Sequence, residues 1–288
     1  MDSLTPATPA KTDALARRYG AEALTRRYGA DAVPPTGPWN ETIAVMLDHR
    51  SVRGYKPDPL PPGTLETLIA AAQSAATSSN MQWWSAVAIT DPEKKKVLAE
   101  IAGGQKHIEQ CPLFIAWVAD MSRNQRISDA EKTDFETMPW LETFMVACID
   151  AALAAQNAVV AAQSIGLRTV YIGAMRNDPI RVAKLLDLPH QSFVVFGLCV
   201  GYATEKGEGE VKPRLPQSTV LHHERYDATH EAAQRKVYDA EMSRFSARHE
   251  LQAATWTQRV LNRLAPLKSM NGRETIRASL AKLGFEIR

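Results

Sequence analysis

The pentapeptide HRSVR, His49-Arg50-Ser51-Val52-Arg53, leaves a stretch with helical spacing and enters a loop. Two arginines three residues apart, beside a hydroxyl and an imidazole, make a dense set of anion donors. A guanidinium gives a phosphate two parallel hydrogen bonds and stays charged at any working pH. Taken alone, the pentapeptide fits a solvated surface loop as well as a phosphate site. Three distant clusters share its character: SSNMQ at 78–82, GQKH at 104–107 and KPR at 212–214. Pro213 favours an extended backbone at Lys212. An extended backbone points Lys212 and Arg214 to the same side. Each cluster interrupts regular structure and offers donors for phosphate, hydroxyls or a heterocycle edge. Together they favour a small polyanionic ligand.

Around these clusters, the apolar spacing predicts a mixed fold. Ile43, Met46 and Leu47 predict a short helix over 39–49. Leu65, Leu68 and Ile69 predict another over 63–76, stopped by the polar run Thr77-Ser78-Ser79-Asn80. A strand is expected at 85–90, then a helix over 91–102 with Asp91 as cap and Pro92 in its first turn. Residues 113–119 read as a buried strand. The longest helical candidate is 140–164, where Leu141, Phe144, Met145, Cys148, Ala152 and Ala155 keep three- and four-residue spacing. So apolar a helix needs burial on most sides, in a core or against another subunit. Strands at 168–172 and 193–200 flank a helix at 179–186, and the chain from 227 onward reads as largely helical. Strands and helices intermix without regular repetition, which favours α+β over a doubly wound sheet. No G-x-G-x-x-G or Walker pattern follows a strand. Residues 1–38 are expected to be a flexible or partner-docked N-terminal extension, and 39–288 one domain. Within the extension ARRYGAEAL (16–24) is echoed by TRRYGADAV (25–33), before Pro34, Pro35 and Pro38.

The chain has 288 residues, a formal net charge of +2, and 45% hydrophobic and 23% charged residues. Near-neutral charge without a lysine/arginine block argues against a nucleic-acid partner. The most apolar stretch, 146–165, is interrupted by Asp150, Gln156, Asn157 and Gln163, so no membrane span is expected. The N-terminus lacks the apolar core of a signal peptide. Cys111, Cys148 and Cys199 read as buried free thiols in a reducing compartment, and a cytoplasmic protein is the expectation. His222, His223 and His230 match no common ligand spacing, and no metal is expected. Residues 225–288 carry 12 Lys/Arg against 7 Asp/Glu, a net 12 − 7 = +5. That excess suits either electrostatic guidance of a phosphorylated dinucleotide or a mildly basic helical surface.

In order along the chain, HRSVR at 49–53, ATSSNMQWWS at 76–85, GGQKHIEQCP at 103–112, the long helix, GLRTVYIGAMRND at 166–178, FGLCVG at 196–201 and KPRLP at 212–216 complete a pattern. The chain resembles the FMN-dependent nitroreductase superfamily, most closely its NADPH-dependent oxygen-insensitive nitroreductase and flavin reductase branch. The resemblance implies an α+β nitroreductase-like fold, a central mainly antiparallel sheet flanked by helices in an intertwined homodimer. It implies FMN as cofactor and NADPH, with NADH as the alternative, as co-substrate. His49, Arg50, Ser51 and Arg53 would hold the FMN phosphate and the pyrimidine side of the ring. Ser78, Ser79, Asn80 and Gln82 would line the ribityl chain and ring, and Gln105 would meet the ring edge. Tyr171, Ile172, Gly173 and Ala174 would run along the isoalloxazine with a backbone N–H toward N5. Lys212 and Arg214 would complete the site.

Three departures stand out. The loop Ser78–Gln82 is shorter than the serine-rich loop of the branch. Ala174 stands where glycine is usual, which requires backbone angles that suit a side chain. The branch grips the NADPH 2′-phosphate with an arginine-rich loop before a Thr-Trp pair. Here Thr255-Trp256 is preceded by Arg244 and Arg248 in a shifted register, so NADPH and NADH both remain open as donors. No side chain is expected as catalytic acid or base, because the flavin N5 does the chemistry. Two-electron ping-pong turnover would reduce nitroaromatics, quinones or related electron-poor aromatics. The alternatives are a flavin reductase supplying reduced FMN, and a flavin-binding carrier or sensor without turnover. Trp83-Trp84 fit either a cover for the ring or packing in a core or dimer.

Overall fold

The computed structural model describes residues 21–252 and 255–288. In chain order, the principal elements are α1 (Ala21–Tyr28), α2 (Glu41–Leu47), α3 (Thr64–Gln73), β1 (Trp84–Ile89), α4 (Pro92–Ile101), β2 (Leu113–Asp120), α5 (Ser122–Glu131), α6 (Leu141–Ser164), β3 (Arg168–Ile172), α7 (Pro179–Leu185), β4 (Ser192–Gly201), α8 (Glu231–Arg248), α9 (Trp256–Leu264) and α10 (Ile276–Lys282). The chain divides into two compact units, each discontinuous in sequence. One comprises residues up to Arg50 with Glu210–Ser269, the other Ser51–Gly209 with Met270–Arg288. The described part of 1–38 begins with a helix whose Ala23, Leu24 and Arg27 are buried; residues 1–20, which hold half of the RRYG duplication, lie outside the described residues.

The larger unit is built on a four-stranded sheet in the order β1-β2-β4-β3, every neighbouring pair antiparallel. All eight residues of β2 are buried, as its unbroken apolar sequence requires. Alternation sends Leu113, Ile115 and Trp117 to one face, where they meet Leu68 and Ala72 of α3 and Ala154, Ala155, Ala158 and Ala162 of α6. Phe114, Ala116 and Val118 face the other way, toward Leu98 and Ile101 of α4 and Val182 of α7. Four fully buried alanines let α6 approach the sheet closely. By length and composition alone α6, 24 residues long with a mean hydropathy of 1.7 over 18 of them, would be apolar enough to cross a membrane, a test that the core helix of a globular protein also passes. Its alanine face is core instead, and its one buried acid, Asp150, serves the neighbouring loop.

Local signals behave as their chemistry demands. Asp91 accepts from the amides of Glu93 and Lys94 to cap α4, and Asn40 accepts from Ile43 N at 2.9 Å to cap α2. The C-terminal segment returns to the larger unit, where Phe285 and Phe193 pack edge-on against Phe144 with ring centroids 5.1 and 5.7 Å away. The smaller unit has a modest core of Tyr238, Met242 and Phe245 from α8, covered by Leu215 and by Trp256 of α9.

Gly197 in β4 allows one close approach. A Cβ there would lie 2.0 Å from the Phe114 ring. Gly197→Ala is therefore expected to cost about 1–3 kcal/mol in urea unfolding, and adding Phe114→Leu in the same chain should recover part of the loss.

Candidate functional site

The boundary between the units falls inside HRSVR, between Arg50 and Ser51. The site residues expected from sequence therefore form two groups.

In the larger unit, Ser51 makes a short parallel bridge to Thr169 of β3, and Val52 N donates to Thr169 O at 3.0 Å. The extended backbone buries Val52 and exposes Ser51 and Arg53. Tyr55 fixes the segment from below, its buried hydroxyl 3.0 Å from Val52 O and 3.4 Å from Cys199 O. Close contact of Gly54 and Gly207 backbones finishes the arrangement; a Cβ on Gly207 would lie 2.5 Å from Gly54 O. Ser51, Arg53, Gln110, Thr204 and Lys206 line a cavity of about 520 Å³ here. Burial, with the Arg53 cation nearby, holds the His107 imidazole below its ordinary pKa.

The loop Ser78–Gln82 is exposed, and Ser79, Asn80 and Gln82 all have left-handed φ, between 49° and 56°. Such backbone persists only where its surroundings over-determine it. Here Asp150 supplies the constraint. Its carboxylate, 2% exposed, accepts from Ser78 N at 3.1 Å and Trp83 N at 3.3 Å. Arg123 adds a bond to Gln82 O at 2.9 Å. Trp83 is core, and Trp84 packs against Trp117 with centroids 5.5 Å apart. Gln105 is half-buried and donates to Ala102 O at 2.9 Å. Tyr171 and Ile172 point into opposite cores, and their backbone pairs with Leu198 and Gly197 of β4. Gly173 and Ala174 begin a tight turn of helix, Gly173–Asn177. Ala174 is not among the residues with left-handed φ, so its methyl is accommodated. Asn177 anchors the turn, donating to Ile101 O at 3.0 Å and accepting from Arg273 at 2.8 Å.

In the smaller unit, Lys212 and Arg214 are exposed while Val211 and Pro213 between and before them are buried. Arg50 is half-buried and lies 2.9 Å from the Asp48 carboxylate. Beneath both segments lies Arg27, 5% exposed. Its guanidinium donates to Leu47 O at 2.6 Å, His49 O at 2.9 Å and Lys212 O at 2.9 Å. Its own carbonyl accepts from Arg214 N at 2.8 Å. Burial, and then the Arg214 cation, lower its pKa to about 10, which leaves it charged at neutral pH. Of the two dinucleotide candidates on α8, Arg244 meets Glu241 at 2.7 Å and Asp31 at 3.0 Å, and those bonds raise its pKa. Arg248 meets Glu210 at 3.3 Å and lies over the Phe245 ring. His222 stacks with Tyr226 at 4.3 Å.

Arg27 and Asp150 are the residues that sequence reading missed. Arg27 had a signal in the repeated RRYG, and Asp150 in being an acid in the middle of an apolar helix.

Residues 46–202 match the nitroreductase family, and 212–288 match the nitroreductase family C-terminal domain. The chain is 35% identical over 252 residues to the FMN reductase (NAD(P)H) of Bacillus subtilis (strain 168), covering 86% of this chain and 99% of that one. It is 36% identical over 228 residues to the NADPH-flavin oxidoreductase of Vibrio harveyi, covering 78% and 92%. The solved structure of B. megaterium NfrA2 superposes with a TM-score of 0.81 at 37% identity over 87% of this chain and 100% of that chain. The Vibrio harveyi NADPH:FMN oxidoreductase complexed with NAD+ superposes at 0.76 with 33% identity, over 86% and 100%. This chain belongs to the nitroreductase family.

If Asp150 holds the loop, Asp150→Ala should speed hydrogen exchange at the Ser78 and Trp83 amides by more than tenfold. Amides of β2 should be unchanged, and global stability should fall by about 1–3 kcal/mol.

Proposed function

We propose that this protein is an FMN-dependent NAD(P)H oxidoreductase that reduces flat, electron-poor acceptors such as nitroaromatics and quinones. The observation that supports this most is the shared build of 51–53 and 212–214. In each, two donors of anion-binding type face outward with a buried residue between them. The donor chemistry suits FMN. His49, Arg50, Ser51, Arg53, Lys212 and Arg214 would serve its phosphate and pyrimidine side, where cations and forked donors are needed. Ser78, Ser79, Asn80 and Gln82 would serve the hydroxylated chain and ring, Gln105 the ring edge, and the backbone of Tyr171, Ile172, Gly173 and Ala174 the ring plane. When bound, the flavin supplies hydride transfer between a nicotinamide and the acceptor. The cations of the chain would stabilise negative charge on the pyrimidine side of the bound flavin, and no side-chain acid or base is assigned.

Arg248 is the better candidate for the 2′-phosphate. Arg244 already meets two carboxylates, whereas Arg248 meets one, at the longer distance of 3.3 Å. A second reading, a flavin reductase supplying reduced FMN to another protein, is favoured by relatives named FMN reductase and NADPH-flavin oxidoreductase. Both readings place NAD(P)H oxidation at the same flavin. Initial rates with donor and acceptor both varied should give parallel double-reciprocal lines. Arg248→Ala should raise KM for NADPH about tenfold and leave that for NADH unchanged, the loss expected for one charge-assisted hydrogen bond. Intersecting lines would contradict alternating turnover, and absence of turnover would favour a carrier.

We also propose a homodimer. Leu141, Met145, Ile149 and Leu153, each four residues apart on α6, are 45–53% exposed. An aligned apolar stripe on a core helix fits a self-complementary surface. Sedimentation should give a dimer at micromolar concentration, and Met145→Lys with Ile149→Lys should shift it to monomer. A wild-type monomer would contradict the proposal. A cytoplasmic location fits three free cysteines, two of them buried.

A further inference from the structure

Arg27 lies outside both matched regions, which begin at residues 46 and 212. It belongs to the helix Ala21–Tyr28, within the duplicated segment that the family resemblance does not explain. A buried guanidinium is expensive to keep unless its donors are used and its charge has a purpose. The donors are used: Nη1 and Nη2 reach three carbonyl oxygens at 2.6–2.9 Å. Those acceptors are all neutral backbone atoms, and among the described residues the Asp48 carboxylate acts on this cation through charge rather than a bond. They are also specific in place. Leu47 and His49 lead directly into Arg50, and Lys212 is itself one of the outward-facing cations. Arg214 is tied to the same residue through its N–H to Arg27 O, and Tyr238 Oη holds Pro213 O at 2.9 Å. One side chain thus sets the backbone of both segments that carry the proposed phosphate cations of the smaller unit.

We propose that Arg27 is a positioning residue for the phosphate group of FMN, fixing the 47–50 and 212–214 segments so that their cations converge on one anion. This rests on the proposed assignment of FMN to those residues. The arrangement makes the helix Ala21–Tyr28 part of the cofactor site of this chain. A lysine replaces it only in part, because a single ammonium nitrogen keeps the charge but lacks the planar fork that spans three carbonyls. Glu241 and Asp31 add to the attachment of this region: Arg244 bonds both, and Gly29 leaves room for the Glu241 carboxylate.

The test compares two flavins that differ only in the phosphate. Dissociation constants of FMN and riboflavin for the full chain are measured by quenching of flavin fluorescence, in wild type, Arg27→Met and Arg27→Lys. The wild type should prefer FMN. Arg27→Met should weaken FMN at least tenfold and riboflavin less than twofold, and Arg27→Lys should fall between wild type and Arg27→Met. A purely structural role would weaken both flavins in parallel and would overturn the inference, as would an FMN-to-riboflavin ratio unchanged within twofold. Should Arg27→Met fail to fold, the ratio in Arg27→Lys decides: a fall of threefold or more supports the inference, and an unchanged ratio overturns it. A wild type that binds both flavins equally, or neither, sinks the phosphate assignment itself and the inference with it.

Discussion

Strand β2 has no solvent-facing side, and the larger unit depends on that constraint. Eight consecutive buried residues leave its backbone polar groups no partner but neighbouring strands, so β1 and β4 must pair along its length. Its side chains then demand cover on both faces, which α3 and α6 provide on one and α4 and α7 on the other. Every candidate flavin loop of this unit hangs from that framework. Ser51 pairs with the edge strand β3, the 78–82 loop runs into β1, Gln105 follows α4, and Gly173–Asn177 continues β3. A packed sheet gives these loops fixed ends, which is what a site assembled from several separate loops needs.

The smaller unit solves a different problem, holding like charges close together with little core. Its apolar cluster is small, and its ties are polar and ionic. The Arg27 fork replaces hydrophobic packing with hydrogen bonds that have direction. It also adds positive charge where an anion is the proposed ligand. In the larger unit Asp150 plays the matching part for the strained serine loop. In both places a buried charged group outside the expected ligand set holds a loop whose exposed residues would touch the cofactor.

Much of this was legible in the sequence where the signal is local. The β3 strand at 168–172, the Asp91 cap and the buried run at 113–119 follow from spacing, capping chemistry and apolar content, and the structure shows them within a residue or so. The outward alternation of Lys212 and Arg214 followed from Pro213. What was not legible is long-range. No periodicity tells that Asp150 on α6 reaches Ser78, 72 positions away, or that Arg27 reaches Lys212 across 185 positions. The helix α5 was missed because its polar sequence, SRNQRISDAE, has no apolar stripe. The two compact units are each discontinuous in the chain, so their bounds are set by long-range contacts that no local signal carries.

The central claim is that this chain carries an FMN that a reduced nicotinamide can reach. The most direct measurement is an anaerobic half-reaction: FMN-loaded protein mixed with equimolar NADPH or NADH, followed by the visible absorption of the flavin. The account predicts rapid bleaching by NADPH, with the yellow colour returning when a nitroaromatic or quinone is added. A protein that binds no FMN, or a bound flavin that neither donor bleaches, would contradict it.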